Sequence, residues 1–123
     1  MHVRQDGLTF TDFRSTGNTN QFVRLVFTES KPTTAPIIHD PQEGCEPSQA
    51  QILLAEEMLS RFADKLPLHG RWYVLEVQLA EGDAVESVGY WALFRDLMAE
   101  AELALPVEGP APEGARTWRP SAV

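Results

Sequence analysis

The residues best suited to chemistry cluster in one proline-rich stretch of the chain. The side chains there that could bind a metal ion are His39, Asp40, Glu43, Cys45 and Glu46. Structural zinc sites use four ligands at close, repeated spacings such as paired Cys-x-x-Cys, and one histidine with one cysteine falls short of that set. The stretch therefore predicts a polar surface loop, with Cys45 half-buried as a small apolar residue.

Covalent catalysis would need a serine or cysteine beside a histidine that a carboxylate orients. Cys45, His39 and His69 supply the residue types, but no local motif places them together. His69 precedes Gly70 and is interpreted as a turn residue. Phosphate-binding motifs of the Gly-x-x-x-x-Gly-Lys-[Ser/Thr] or Gly-x-Gly-x-x-Gly type are absent from the sequence. We expect no catalytic residue, no metal and no cofactor.

Acid–base catalysis by paired carboxylates needs one acid with a raised pKa in a cleft. Glu56 and Glu57 lie in the middle of a predicted helix and are expected to face water. Glu76 is expected on the polar face of a strand, where a cross-strand pair with Arg24 would contribute about 0.2–1 kcal/mol. These carboxylates do not indicate an enzyme.

The elements that position these residues begin with a predicted hairpin. Residues 8–14 and 21–29 alternate apolar and polar side chains, which is typical of half-buried strands. The polar residues 15–20 between them favour a reversal. In the second strand, one wholly apolar face contains Val23, Leu25 and Phe27.

Four prolines in residues 30–47 predict a long irregular loop, which we interpret as a candidate contact surface. Ser48 and Gln51 match a capping box and predict a helix over residues 49–65, which Pro67 ends. That helix has apolar residues on more than one side, including three in a row at positions 52–54, and the extra surface is a candidate dimer contact.

Residues 71–79 predict a third strand, with an apolar face formed by Tyr73, Leu75, Val77 and Leu79. Asp83 and Glu86 match an N-cap and its partner, so a second helix is expected to begin there. Its buried stripe is expected to contain Tyr90, Leu93, Phe94, Leu97, Met98 and Ala101. Gly89 weakens the start of this helix by roughly 1 kcal/mol relative to alanine.

The predicted fold is α+β, a three-stranded, mainly antiparallel sheet packed on two helices in the order ββαβα. A length of 123 residues fits one domain, which we place at residues 1–105. Residues 106–123 are rich in proline and glycine and predict an extended tail. The order of the strands in the sheet does not follow from the pattern.

Charge and composition narrow the classes of protein to which this chain can belong. The formal net charge is −8, and residues 76–113 contain nine acidic side chains against one basic, Arg95. Such a field repels phosphate backbones, so direct nucleic-acid binding is not expected. The longest apolar runs are far below the roughly 18 residues of a membrane span. A single cysteine and no export signal favour the cytoplasm.

An acidic field attracts basic surfaces on other proteins. The leading hypothesis is therefore a small protein-binding module that covers a basic surface of a partner, as inhibitors, immunity proteins, antitoxins and phage-encoded antagonists do. Trp91 is either an interface anchor or part of the core, and Trp118 is either a plug on the domain or a docking peptide. The residues predicted to bind the partner are Glu81, Asp83, Glu86, Trp91, Glu100, Glu102, Trp118 and Arg119.

Two alternatives stay open. The first is a structural or assembly subunit, for example of a phage or a secretion system, that self-associates as a homodimer or larger assembly. The second is a small-ligand binder or an enzyme, which would need a pocket that the sequence does not indicate.

Overall fold

The structure is a computed structural model that describes residues 3–16, 19–42, 44–80 and 87–112. Within these ranges the chain forms five strands and two helices. In order they are β1 (Arg4–Asp6), β2 (Thr9–Thr16), β3 (Thr19–Thr28), β4 (Ile37–His39), α1 (Gln49–Arg61), β5 (Tyr73–Leu79) and α2 (Ser87–Ala104).

The strands form one mixed sheet in the order β1-β2-β3-β5-β4. The pairs β1–β2, β2–β3 and β3–β5 are antiparallel, and β4 pairs with β5 in parallel. The α+β class and the β2–β3 hairpin are confirmed. The predicted three-stranded sheet is wrong, because β1 and β4 add one strand at each edge.

Both additional strands are short and carry little sequence signal. β1 contains three exposed polar residues, so it lacks the apolar alternation that marks a half-buried strand. β4 lies between Pro36 and Pro41, inside the stretch predicted to be irregular. Proline is tolerated next to an edge strand because only one side of that strand must supply ladder hydrogen bonds.

The two helices pack on one face of the sheet. α1 begins at Gln49, is capped by Ser48 with the predicted capping box, and ends at Arg61, before the predicted end at residue 65. α2 presents its predicted apolar stripe to the core, whereas the predicted cap residues Asp83 and Glu86 lie outside the described residues. In the part of the chain that is described, neither helix is long and apolar enough to cross a membrane.

The core between the sheet and the helices is apolar and closely packed. Its completely or almost completely buried members include Phe10, Val23, Leu25, Phe27, Met58, Trp72, Val77, Leu79, Tyr90, Leu93, Phe94 and Leu97. The predicted apolar face of β3 is therefore confirmed.

A bulge in β5 changes which side chains face the core. The pairing register shifts between Val26, which faces Glu76, and Phe27, which faces Val74, so Leu75 is an extra residue. Val74 consequently joins the core, whereas Leu75 does not belong to the core cluster. The predicted apolar face of the third strand is wrong at Tyr73 and Leu75, which are only half-buried.

Candidate partner-binding surface

Residues 30–47 are tied to the domain by hydrogen bonds around Asp40. The Gln51 side chain is 1% exposed, and its Nε2 donates to Asp40 Oδ2 at 2.9 Å and to the Leu79 carbonyl at 2.8 Å. Gln78 Nε2 donates to the Asp40 carbonyl at 3.3 Å. The stretch interpreted as a contact loop is thus linked to both α1 and β5.

The residues first considered for chemistry are spread over this stretch. His39 lies on β4, with Nε2 at 2.8 Å from Oε1 of Glu76, and Cys45 is exposed, which corrects the half-buried expectation. Glu43 lies outside the described residues. The described parts of the chain contain no group of three His, Cys, Asp or Glu side chains that could hold a metal ion. The strand register places Gln78, not Glu76, opposite Arg24.

Trp91 packs between the helices. Its ring stacks on Phe62 with centroids 5.1 Å apart and an interplanar angle of 16°. The Arg61 guanidinium lies 5.1 Å from the centroid of the Trp91 ring. Both contacts are to residues at the end of α1, so Trp91 contributes to the packing between the two helices, and its role in binding a partner stays a prediction.

The predicted partner-binding residues are only partly brought together. Glu100 and Glu102 both lie near the C-terminal end of α2. Trp91 is about ten residues earlier on the same helix, which corresponds to ~15 Å along its axis. The other predicted residues lie outside the described ranges, namely Glu81, Asp83, Glu86, Trp118 and Arg119.

The end of α2 carries two exposed apolar side chains among carboxylates. Leu103 is 83% exposed, and Val107, just beyond the helix, is 61% exposed. Glu102 and Glu108 are exposed as well, and Glu100 is half-exposed. We call these five residues the α2-end surface. Exposed apolar side chains with a polar rim are characteristic of interaction sites.

The α2-end surface has a negative potential for two reasons. The last turn of α2 contains no basic residue, and the C-terminus of a helix itself carries a partial negative charge. Lys65 offsets part of this charge, with Nζ at 4.0 Å from Oε2 of Glu102. The His69 ring, in the predicted turn, lies with Nε2 at 2.9 Å from the Glu102 carbonyl oxygen.

Arg71 and Trp72 fix the segment that follows α2. Trp72 Nε1 donates to the Pro106 carbonyl at 2.8 Å, and Arg71 donates to the carbonyls of Pro106 and Gly109. Arg71 also pairs with Glu29, with Nε and Oε2 separated by 2.8 Å. The described start of the predicted tail is therefore held against the two residues that precede β5.

Comparison with protein-family models, with curated proteins and with solved structures gives no match to this chain. The surfaces of the chain itself are therefore the basis for a functional proposal.

Two concavities bear on the small-ligand alternative. A groove of about 1370 Å³ runs beside β1 and β2. Its charged lining consists of Arg4, Arg14, Arg24, Asp6, Asp12 and Asp96. Burial lowers the pKa of Arg24 from its ordinary value. A second pocket of about 300 Å³, mainly apolar, lies between residues 31–36, the end of α1 and β5.

Leu103, Val107 and Glu108 were missed as candidate binding residues. Leu103 lies outside the apolar stripe of α2, and that departure from helical spacing is a signal that the sequence already contains. Val107 falls in the predicted tail, where no pattern distinguishes a fixed residue from a free one.

Proposed function

We propose that this chain is a small acidic protein-binding module that covers a basic surface of a partner protein with its α2-end surface. The observation that carries the proposal is the exposure of Leu103 and Val107 beside carboxylates at the negative end of a helix. Leu103 and Val107 form the apolar centre of the interface, and Glu100, Glu102 and Glu108 form its charged rim.

Charge supports a basic partner. The whole chain has a formal net charge of −8, so a basic protein is attracted at long range and its association is accelerated. A carboxylate in the last turn of a helix, as Glu102 is in α2, also costs roughly 0.3–1 kcal/mol, because it repels the negative helix end. Stability alone would favour lysine or arginine at this position, whereas binding of a cationic surface favours glutamate.

This mode of action matches proteins that work by covering a surface. Small inhibitors, immunity proteins, antitoxins and phage-encoded antagonists form that class.

Site-specific photo-crosslinking tests the proposal. A photoreactive phenylalanine analogue replaces Leu103 in cells that naturally produce the protein, and the matched control carries it at Leu53, which is 56% exposed on α1. We expect a specific cross-link from position 103 to a protein with a basic contact surface. A cross-link from position 53 alone, or a partner with an acidic contact surface, would contradict the proposal.

Charge variants then test the rim with the identified partner. Glu100→Gln/Glu102→Gln is expected to lower the association rate constant about 3- to 10-fold at low salt, with the effect fading as salt screens the field. The matched control is Glu56→Gln/Glu57→Gln, which removes the same charge from an exposed part of α1. Equal effects of the two pairs would indicate that net charge, not the α2-end surface, governs association.

A further inference from the structure

The sheet face opposite the helices carries charged side chains in two neighbouring rows. The strand registers align one row across all five strands, formed by Arg4, Thr11, Arg24, Gln78 and His39. A second row lies two residues away from the first on each strand and is formed by Asp6, Thr9, Val26, Glu76 and Ile37. We call them the basic row and the acidic row, and together the outer face.

Side-chain contacts confirm that both rows lie on the outer face. The row between them includes Phe10, Leu25 and Val77, which are completely buried against the helices, and side chains alternate between faces along a strand. His39 of the basic row contacts Glu76 of the acidic row, with Nε2 and Oε1 separated by 2.8 Å.

The outer face differs from the rest of the molecule in its charge. Arg4 and Arg24 balance Asp6 and Glu76, whereas the chain as a whole has a net charge of −8. Two copies of an acidic protein repel each other over most of their surfaces, and the outer face is a region where that repulsion is absent.

The exposed side chains of this face lie toward its edges. Val26 and Gln78 at the centre are 4% and 2% exposed. Arg4 and Asp6 on β1 are exposed, and so are Phe13 and Ile37, at 47% and 51%. A partner seated on this face would bury apolar area on β2 and β4 and contact both charges of β1.

We propose that the outer face packs against the outer face of a second copy of this chain. A two-fold axis that runs across the strands, between the rows, places the basic row of each copy over the acidic row of the other. Arg4 then approaches Asp6 of the partner subunit, and symmetry forms the same contact twice. An axis along the strands would instead set Arg24 against Arg24 of the partner subunit.

The size of the face indicates a weak dimer. The strands contain 3, 8, 10, 3 and 7 residues, and at a spacing of about 4.8 Å and a rise of about 3.3 Å per residue they give a flat area of roughly 490 Å² for each copy. Stable interfaces bury about 800 Å² from each partner. We therefore expect a concentration-dependent dimer, and this goes beyond the binding of a basic protein at the α2-end surface.

Charge exchange between the rows tests the arrangement. Sedimentation equilibrium of the purified chain, up to about 1 mM, gives the dimer dissociation constant. Arg4→Glu and Asp6→Arg are each expected to weaken the dimer about 3- to 10-fold, because each sets like charges against each other. The double variant exchanges the two charges and is expected to return within about 2-fold of wild type. A double variant no better than the singles would overturn the two-fold arrangement.

A matched apolar pair tests the face itself. Ile37→Lys on β4 sets a cation over His39 of the partner subunit and is expected to weaken the dimer at least about 10-fold, whereas Leu53→Lys on α1, where the side chain is 56% exposed, leaves it unchanged. If the Leu53 variant loses the dimer and the Ile37 variant keeps it, the dimer contact lies on α1. A wild-type chain that stays monomeric at every concentration would mean that the outer face does not pair with itself. Either result overturns the proposal. These measurements use the purified chain alone, so their failure does not affect partner cross-linking at Leu103.

Discussion

Replacing Gln51 with glutamate tests the hydrogen bonds that hold residues 30–47 against the domain. Gln51 Nε2 donates to Asp40 Oδ2 at 2.9 Å and to the Leu79 carbonyl at 2.8 Å. Glutamate has the same shape, but in its ionised form it has no hydrogen to donate. Gln51→Glu therefore sets a second carboxylate against Asp40 and removes the donor from the Leu79 carbonyl.

The loss of stability is estimated from the cost of protonating the introduced glutamate, because only its protonated form can donate a hydrogen bond. Protonation at pH 7 of a glutamate with an ordinary pKa near 4.3 costs about 3.7 kcal/mol. The loss of the hydrogen bond to the buried Leu79 carbonyl costs a further ~1–3 kcal/mol. We expect Gln51→Glu to lower the free energy of unfolding by roughly 5 kcal/mol at pH 7.

The loss must depend on pH in a defined direction. Burial and the Asp40 carboxylate both raise the pKa of the introduced glutamate in the folded chain above its value in the unfolded chain. The protonated form is favoured by folding, so the loss is smallest below about pH 4, grows as the pH rises above the pKa in the unfolded chain, and levels off above the folded pKa. Urea unfolding followed by tryptophan fluorescence, with wild type measured at each pH, is expected to show about 1–3 kcal/mol at pH 4.

Two further variants separate the contact from a general charge effect. Gln49→Glu adds the same charge at an exposed position in the first turn of α1 and is expected to stay within about 0.5 kcal/mol of wild type. Asp40→Asn in the Gln51→Glu background supplies a donor and is expected to recover about 2 kcal/mol or more. A loss below about 1 kcal/mol that does not change with pH would refute the reasoning.

Two further predictions concern α2. A Cβ at Gly89 would collide with the carboxamide of Gln21, but that group ends a flexible side chain, so Gly89→Ala is expected to stabilise the protein by up to about 1 kcal/mol in urea unfolding; a loss would show that the Gln21 contact is rigid. Tyr90 donates its hydroxyl to the Ala80 carbonyl, and Tyr90→Phe is expected to cost about 1 kcal/mol at neutral pH. Burial raises the pKa of Tyr90 above 10.0, so the stability difference between wild type and Tyr90→Phe is expected to disappear only above about pH 10. A stability difference that persists at higher pH would contradict this role of the Tyr90 hydroxyl.

Local patterns predicted the elements whose burial is one-sided. Val23, Leu25 and Phe27 alternate as the sheet requires, and all three are in the core. The capping box at Ser48 and the apolar stripe that includes Leu97 also depend on neighbours within one turn or strand. Such features follow from sequence because the residues that decide them are adjacent in the chain.

Features that depend on distant pairing did not follow from the sequence. β4 exists because Ile37, Ile38 and His39 find a parallel partner in β5, almost forty residues later. The bulge at Leu75 depends on how β3 pairs with β5, and it reverses the alternation that the sequence of β5 displays. Neither event changes the local composition.

The candidate site was only partly predictable for the same reason. Glu100 and Glu102 were chosen from charge, and the structure places both at the end of α2. The exposure of Leu103 could have been inferred from its place outside the helical stripe. The position of Val107 depends on Arg71 and Trp72, more than thirty residues earlier in the chain, so composition alone predicted only a tail.

The hydrogen bonds from Arg71 and Trp72 also determine how much conformational entropy the α2-end surface has left to lose. Fixing the backbone of one residue costs about 1–2 kcal/mol. Residues 106–109 are already held by these bonds in the free chain. A flexible segment of the same length would lose roughly 4–8 kcal/mol more in conformational entropy on binding than this fixed segment does. The surface is preorganised, and in the proposed complex the residence time of the partner would be set by its contacts with Leu103 and Val107 rather than by the ordering of a tail.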